Sequence, residues 1–341
     1  MADTTWPDVL GPLVRGDDLP PTVIEWAMAC ILEGDATDAQ IAGLALGLRA
    51  KGETPIELAA LVQAMLRYSQ PVDAPDGAID TCGTGGDRAG TVNVSTMAAL
   101  VAVGAGATVV KHGNRAASSQ CGSADVLEAL GVAIDLDPAG VEHCVREAGI
   151  GFCFAPRYHP ALRFAAAARR ELGVPTTFNF LGPLANPARV RRQVVGVSDP
   201  AMAERIVGTL AVLGADRAMV FYGHDGLDEL TTADTSTVLE LLDGDIRTFV
   251  VDPVALGFDR PDGHVPLGGD PKRNAELCRA VLSGEKGPHR DIVTLNAAAG
   301  IVVCGLADDL VEGVALAQAV IDDGRASDVL DRLVKVSNSP A

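Results

Sequence analysis

The sequence predicts an α/β protein in which a small helical domain precedes a large domain built on a mostly parallel sheet. Three observations carry this. The first 70 or so residues hold three Thr-x-x-Glu/Gln helix-start signatures. From Ala78 onward, short apolar runs alternate with helical stretches, the pattern of βαβ units. Hydrophobic residues make up 48% of the chain but aromatics only 4%, a composition that suits closely packed helices on a sheet.

The helix starts are "TVIE" at 22–25, "TDAQ" at 37–40 and "TPIE" at 54–57. Each places a Thr hydroxyl to accept from the N3 amide, with the N3 side chain reaching back. Pro55 fits the first helical position, and Gly52 the C-cap of the second helix. A Pro- and Asp-rich stretch, "YSQPVDAPDG" at 68–77, reads as a linker. The domains are therefore expected at 1–72 and 73–341, with a helical segment near 165–190 as the candidate to join the small one. A strand follows near Ile79, then a helix from about Thr96, the strand "ATVVKH", and a helix from about Ala124. Asp137-Pro138 and Asp199-Pro200 are Asp N-caps followed by Pro at N1. "RAMVFYG" reads as a strand, and "TVLELLDGDIRTFVV" as a hairpin turning on Asp243-Gly244.

Composition narrows the function. With 27 Lys and Arg against 45 Asp and Glu, the formal charge is −18, which argues against a nucleic-acid binder. No apolar stretch is long enough to span a bilayer, and the N-terminus lacks a signal-peptide pattern, so a cytoplasmic protein is expected. Seven cysteines without a CxxC argue against a disulfide framework or a zinc site. Cys82 and Cys121 flank the loops of interest but have no evident His partner to make a nucleophile.

Chemistry concentrates in three stretches. "AIDTCGTGGDRAGTVNVST" runs from a strand end through Gly83-Thr84-Gly85-Gly86-Asp87 to a helix start. That order presents backbone N–H groups and the positive end of a helix dipole to an anion. It matches neither GxxxxGK[ST] nor GxGxxG, and a plain structural turn is the alternative. "GAGAT" at 104–108 lacks a third glycine and reads as close packing. "VVKHGNRAASSQCGSAD" adds Lys111 and Arg115, the amide of Asn114, and the hydroxyls of Ser118, Ser119 and Ser123 at a second strand end. Ligands of open α/β sheets bind outside the carboxyl ends of the strands. His112, beside Lys111 and Asn114, reads as pocket wall. In "HDGLDELTTADTSTV", Asp228 and Glu229 are either solvated turn residues or, near a polyphosphate, a Mg²⁺ site.

Five motifs in order, "GTGGD…TVNVST", "KHGNRAASS…GSAD", "FAPRYHPAL…RRELG", "FNFLGPLANP" and "GLDELT", resemble the anthranilate phosphoribosyltransferases. The resemblance covers essentially the whole chain, including "GDATDAQ" and "LRAKGETP". It implies a pyrimidine nucleoside phosphorylase-like fold and a homodimer formed through the helical part. It also implies transfer of the 5-phosphoribosyl group from phosphoribosyl pyrophosphate to the amine of anthranilate in tryptophan biosynthesis, with Mg²⁺. Carried over by position, the donor falls to Gly83, Gly86, Asp87, Thr91, Asn93, Val94, Ser95, Thr96 and Ser123. The same resemblance adds Lys111, His112, Gly113, Asn114, Arg115, Ala116, Ala117, Ser118 and Ser119. Anthranilate falls to Gly83, Asn114 and Arg169, and the metal to Ser95, Asp228 and Glu229. No general base is implied, because an aromatic amine is unprotonated at neutral pH. Arg88 and Pro175 depart from the family pattern; Arg88 either adds a cation near the pyrophosphate or points to solvent. A nucleoside phosphorylase of the same fold needs a longer chain, and a nucleic-acid-binding relative a basic surface.

Overall fold

The structure is a computed structural model that describes residues 4–116, 120–260 and 266–339. Four helices come first: α1 (Trp6–Arg15), α2 (Pro21–Glu33), α3 (Asp38–Lys51) and α4 (Pro55–Arg67). The capping boxes at Thr37 and Thr54 form as expected. The one at Thr22 does not. Pro21 takes the first helical position, so Thr22 lies inside α2, and Glu25 pairs with Arg67 of α4 instead. An unexpected capping box sits at Thr5, reciprocated by Asp8.

The sheet has seven strands in the order β3-β2-β1-β4-β5-β6-β7. In chain order these are β1 (Ile79–Gly83), β2 (Val109–Gly113), β3 (Ile150–Phe154), β4 (Arg192–Gly196), β5 (Arg217–Gly223), β6 (Ser236–Leu242) and β7 (Asp245–Val251). The first five run parallel, and the β6–β7 hairpin is antiparallel. Its turn is Asp243-Gly244, both at positive φ, the geometry that matches strand twist in a two-residue hairpin. The chain builds outward from β1 through β2 to β3, then returns to the other side of β1 as β4. β1 therefore borders the topological switch point, where such sheets open to ligands.

The helices of the α/β part are α5 (Val94–Ala105), α6 (Ser123–Leu130), α7 (Pro138–Ala148), α8 (Ala155–Tyr158), α9 (Ala166–Leu172), α10 (Phe178–Leu181), α11 (Pro200–Val212), α12 (Pro271–Leu282), α13 (Pro288–Cys304), α14 (Leu310–Asp322) and α15 (Arg325–Ser337). One face of the sheet packs against α5 and α13 in a core with α14 and α15, where α5 and α13 are apolar on nearly every side. The other face shares a core with α1–α4 and α11. Ala165, Ala168, Phe178 and Leu181, from the segment between β3 and β4, join that same core beside Leu44, Leu48 and Leu61. This segment thus lies between the N-terminal helices and the carboxyl ends of the strands.

Candidate active site

The glycine loop leaves β1 at Gly83, paired with Gly196 at the end of β4. It is laid over the β4 end by three bonds: Thr84 N–H to the Gly196 carbonyl (2.9 Å), Ser198 Oγ to the Gly85 carbonyl (2.8 Å), and Ser198 N–H to Thr84 Oγ1 (3.3 Å). Gly85, Gly86 and Gly90 all have positive φ, so the loop needs glycine for its backbone shape as well as for access. Arg88 also sits at φ +57 and is exposed. Pro175 is exposed as well.

The acidic turn after β5 folds onto this loop. Asp228 is buried, and its Oδ2 accepts from the Gly85 N–H at 2.7 Å. The approach is so close that a Cβ on Gly196 would lie 1.6 Å from the Asp228 carbonyl oxygen, and one on Gly83 would lie 2.5 Å from Oδ2. Asn296 of α13 clamps the turn from below, accepting from the Leu230 N–H and donating to the Leu230 carbonyl, each at 2.9 Å. The bland reading of Asp228 as a solvated turn residue is thereby excluded.

No ion pair closes on Asp228 or Glu229 among the described residues. Burial, then the neighbouring Asp87 carboxylate, pushes Asp228 up to about 7. Burial and Asp228 push Glu229 upward too, although Lys111 and the Ser95 N–H oppose this. Asp87 Oδ2 is buried without a hydrogen-bond partner, as are Asn93 Oδ1 and Thr96 Oγ1. Among the described residues no three His, Cys, Asp or Glu side chains group as a metal site by themselves. Two carboxylates beside a glycine loop are nonetheless a donor set of the kind Mg²⁺ takes, a few carboxylates with other oxygens and water completing its shell.

β2 ends one strand away. Lys111 is 2% exposed, its ammonium donating to the Thr81 carbonyl and to Ser95 Oγ (3.2 Å). His112 Nδ1 lies 3.0 Å from the Gly182 carbonyl, which assigns the proton to Nδ1 and leaves Nε2 a buried acceptor without a partner. Burial, with His159 nearby, holds its pKa down at about 3, so the ring is neutral. His159 packs against it with ring centroids 5.1 Å apart and contacts the Ala185 carbonyl through Nε2 at 2.8 Å. Arg169 of α9 lies over the Phe178 ring at 5.8 Å, with burial alone lowering its pKa and no ion pair to it among the described residues. α10, which carries Phe178, runs on to Gly182, the partner of His112.

Comparison with known proteins now decides the family. Residues 7–69 match the helical bundle domain, and residues 75–327 the a/b domain, of a glycosyl transferase family. The chain is 53% identical to the anthranilate phosphoribosyltransferase of Nocardioides sp. over 97% of its own length and 98% of the relative's. It is 54% identical to that of Acidothermus cellulolyticus, over 99% and 97% respectively. The chain belongs to the anthranilate phosphoribosyltransferases. Among solved structures, the Thermus thermophilus enzyme superposes with a TM-score of 0.92 at 41% identity, covering 97% of this chain and all of that one. The Saccharomyces cerevisiae enzyme, in complex with PRPP and Mg, gives 0.90 at 27% identity, covering 99% of each.

Within this family member, not every sequence-expected residue faces the same space. Gly83, Gly86, Asp87, Ser95, Asp228 and Glu229 are brought together around the switch point. Thr91 is instead bridged to Leu267, and Asn93 Nδ2 is spent on the Cys121 carbonyl (3.0 Å). Val94 and Thr96 open α5 and are buried. Arg115 is tied to Asp125 (2.9 Å) and Glu128 (2.8 Å) on α6, so its charge is already neutralised. Asn114 accepts from the Arg115 N–H through Oδ1, while its carbonyl accepts from the Ser123 hydroxyl and the Ala124 N–H. Gly113 is held close to Ser123 and Phe152; a Cβ there would lie 2.2 Å from Ser123 Oγ. Ala116 N–H goes to Asp125 Oδ2 at 2.9 Å. The expectations for Ala117, Ser118 and Ser119 fall outside the described residues. Sequence reasoning passed over Asp80, His159, Asn186 and Asn296. Asp80 alone carried a signal, a charged residue inside the apolar run "AIDTCG".

Proposed function

We propose that the glycine loop, the end of β2 and the acidic turn hold phosphoribosyl pyrophosphate with Mg²⁺, and that Arg169 holds the anthranilate carboxylate. One observation carries the reading: the Asp228–Gly85 bond makes the acidic turn and the glycine loop a single site. Backbone N–H groups, the α5 N-terminus and buried carboxylates outside any ion pair among the described residues together suit a polyphosphate bound with a divalent cation. Ser95, Asp228 and Glu229 are the residues that would hold Mg²⁺, which supplies positive charge to the pyrophosphate as it leaves. The neutral His112 Nε2 lacks a donor, and an arylamine offers one. Arg169 has a free planar fork for a carboxylate.

The protein's own part is alignment. Loop and turn fix C1 of the ribose while the acceptor pocket presents the amine nitrogen, so the substitution becomes effectively unimolecular. Positive charge developing on the sugar and negative charge on the leaving pyrophosphate meet groups already in place. The amine needs no strong base, since it reacts unprotonated. Phosphoribosyl pyrophosphate bound in the yeast relative supports the same donor here. The test is the loss of anthranilate fluorescence when protein, phosphoribosyl pyrophosphate and Mg²⁺ are combined. Folded protein that leaves the fluorescence unchanged would overturn the reading.

The same reading divides the chain at 72/73 and joins two copies through the helical part, where Val14, Leu46 and Ile56 are exposed. The absence of a disulfide among the described residues suits the cytoplasm, with its reducing conditions. Light scattering on the purified chain checks the dimer.

A further inference from the structure

β1 and β2 are neighbours, yet their register holds only one pair, Ile79 with Val109. β1 with β4, and β2 with β3, each hold five. Ile79 N–H reaches the Thr108 carbonyl at 2.9 Å. In an evenly spaced parallel ladder, the next rung would join Thr81 N–H to the Val110 carbonyl and His112 N–H to the Thr81 carbonyl. That rung is missing, and buried backbone groups must be satisfied some other way.

Side chains take up three of these four groups. Asp80 accepts from His112 N–H through Oδ1 (3.3 Å). Asn186 Nδ2 donates to the Val110 carbonyl (2.7 Å), and Lys111 Nζ donates to the Thr81 carbonyl. Asn186 Nδ2 also donates to Asp80 Oδ2 at 2.8 Å, so the two inserted side chains are bonded to each other. Asn186 Oδ1 accepts from Ala188 N–H at 2.9 Å, fixing which way its amide points. Side chains do the work of ladder bonds between these two strands.

The two strands lead into different parts of the site. β1 ends in the glycine loop; His112, one residue before the end of β2, meets the Gly182 carbonyl of the segment that runs on to Asn186. We propose that Asp80 and Asn186 are positioning residues, and that the width they set between β1 and β2 fixes the donor loop against the wall of the acceptor pocket. This rests on the assignment of those loops under the proposed function. Neither residue touches a substrate in this scheme. Each acts through backbone: Asp80 through the His112 amide, Asn186 through the Val110 carbonyl.

The pair is open to test because Asp80 only accepts. An Asn in its place sets a second NH₂ against that of Asn186, and Asn186→Asp leaves the Val110 carbonyl without a donor. Gln193 serves as the control. It is buried and donates to the Pro183 carbonyl at 2.9 Å, so it pins the same segment without spanning the gap. Displacement by an ångström between reacting groups costs about a hundredfold in rate. Asp80→Asn and Asn186→Asp should each lower kcat per folded site by about tenfold or more, on that principle. The Kd of phosphoribosyl pyrophosphate with Mg²⁺, by calorimetry, should stay within about threefold, since uniform binding is retained. Gln193→Met should lower the melting temperature while kcat per folded site stays near wild type.

A kcat for both variants no lower than that of Gln193→Met would overturn the proposal, and so would parallel losses in kcat and donor affinity. Should neither variant fold, amide hydrogen exchange on the wild type still decides. The His112 N–H should exchange as slowly as ladder amides of β3, and fast exchange would overturn the proposal. Wild-type protein that transfers no phosphoribosyl group would instead count against the function, leaving the exchange measurement to judge the strand gap.

Discussion

The two seams of β1 are built by opposite means. On the β4 side, backbone pairs run unbroken to Gly83–Gly196, and the acidic turn closes over the end so tightly that only glycine fits beneath it. On the β2 side the ladder stops after one pair, and Asp80, Asn186 and Lys111 fill the opening. The closed seam brings charge together, and the open one keeps two loops apart. The closed seam should therefore fail through sterics and electrostatics, and the open one through lost alignment.

The largest expected effect removes charge at the closed seam. Asp228→Asn combined with Glu229→Gln should cut activity by about a thousandfold, since metal charge stabilisation is worth several kcal/mol. Residual activity should need far more Mg²⁺. The fold should not suffer. Asp228 has a folded pKa raised to about 7 from 3.8, so its contribution is fully favourable below pH 4 and is lost as pH rises through 7. Metal-free wild type should therefore lose melting temperature between about pH 4 and 7 and level off above, and the double variant should lose less. Equal pH slopes in paired melts, or an unchanged Mg²⁺ dependence, would leave the pair a structural clamp on the glycine loop and not a metal site.

Next comes the steric limit. Gly196→Ala places a methyl where the Asp228 carbonyl oxygen stands, 1.6 Å away, and neither backbone can yield cheaply. The turn must shift, with a cost of about 1–3 kcal/mol in stability and about a hundredfold in activity. Chemical denaturation alongside steady-state rates measures both. A variant with wild-type activity would mean that the turn is free to move during turnover.

A smaller effect is expected on the open side. Arg169→Ala removes the unpaired guanidinium over Phe178, on the segment that leads to Gly182 and His112. Losing a charge-assisted hydrogen bond costs about 1.5–3 kcal/mol, or roughly ten- to a hundredfold in kcat/KM for anthranilate. KM for phosphoribosyl pyrophosphate should barely change. Equal losses for both substrates would move Arg169 out of the acceptor pocket.

The difference between the seams also marks what the sequence made legible. The closed seam was readable because its chemistry is local: glycines in a row, an Asp-Glu pair, strands flanked by turn residues. Even there, the Asp228–Gly85 contact joins residues 143 apart and has no local signature. The open seam was not readable. Asp80 and Asn186 are 106 residues apart, and nothing in "FNFLGPLANP" says that its Asn enters a sheet. Lys111 looked like a free cation for the pyrophosphate because periodicity cannot tell a lysine at a strand end from one turned inward to Thr81. The helix at Thr22 was misplaced for the opposite reason: a correct capping signature lost to a proline one residue earlier.

The smallest effect separates the tip of the glycine loop from both seams. Arg88 has φ +57, a left-handed conformation that costs an ordinary side chain about 1–2 kcal/mol. It is exposed and no hydrogen bond, ion pair or ring contact holds it among the described residues. Arg88→Gly relieves that strain but loosens the unfolded chain, so stability should rise by at most about 1 kcal/mol. If Arg88 points to solvent, the Kd of phosphoribosyl pyrophosphate should stay within about twofold, because exposed charges contribute little at ordinary salt. If it meets the pyrophosphate, donor affinity should fall by tenfold or more on loss of a charged hydrogen bond, roughly what Arg169→Ala costs the acceptor. The exposed position and the absence of a partner favour the first outcome. Calorimetric titration of the donor into both proteins, at low and physiological salt, decides between them. A large, salt-dependent loss would extend the donor site from the closed seam to the loop tip.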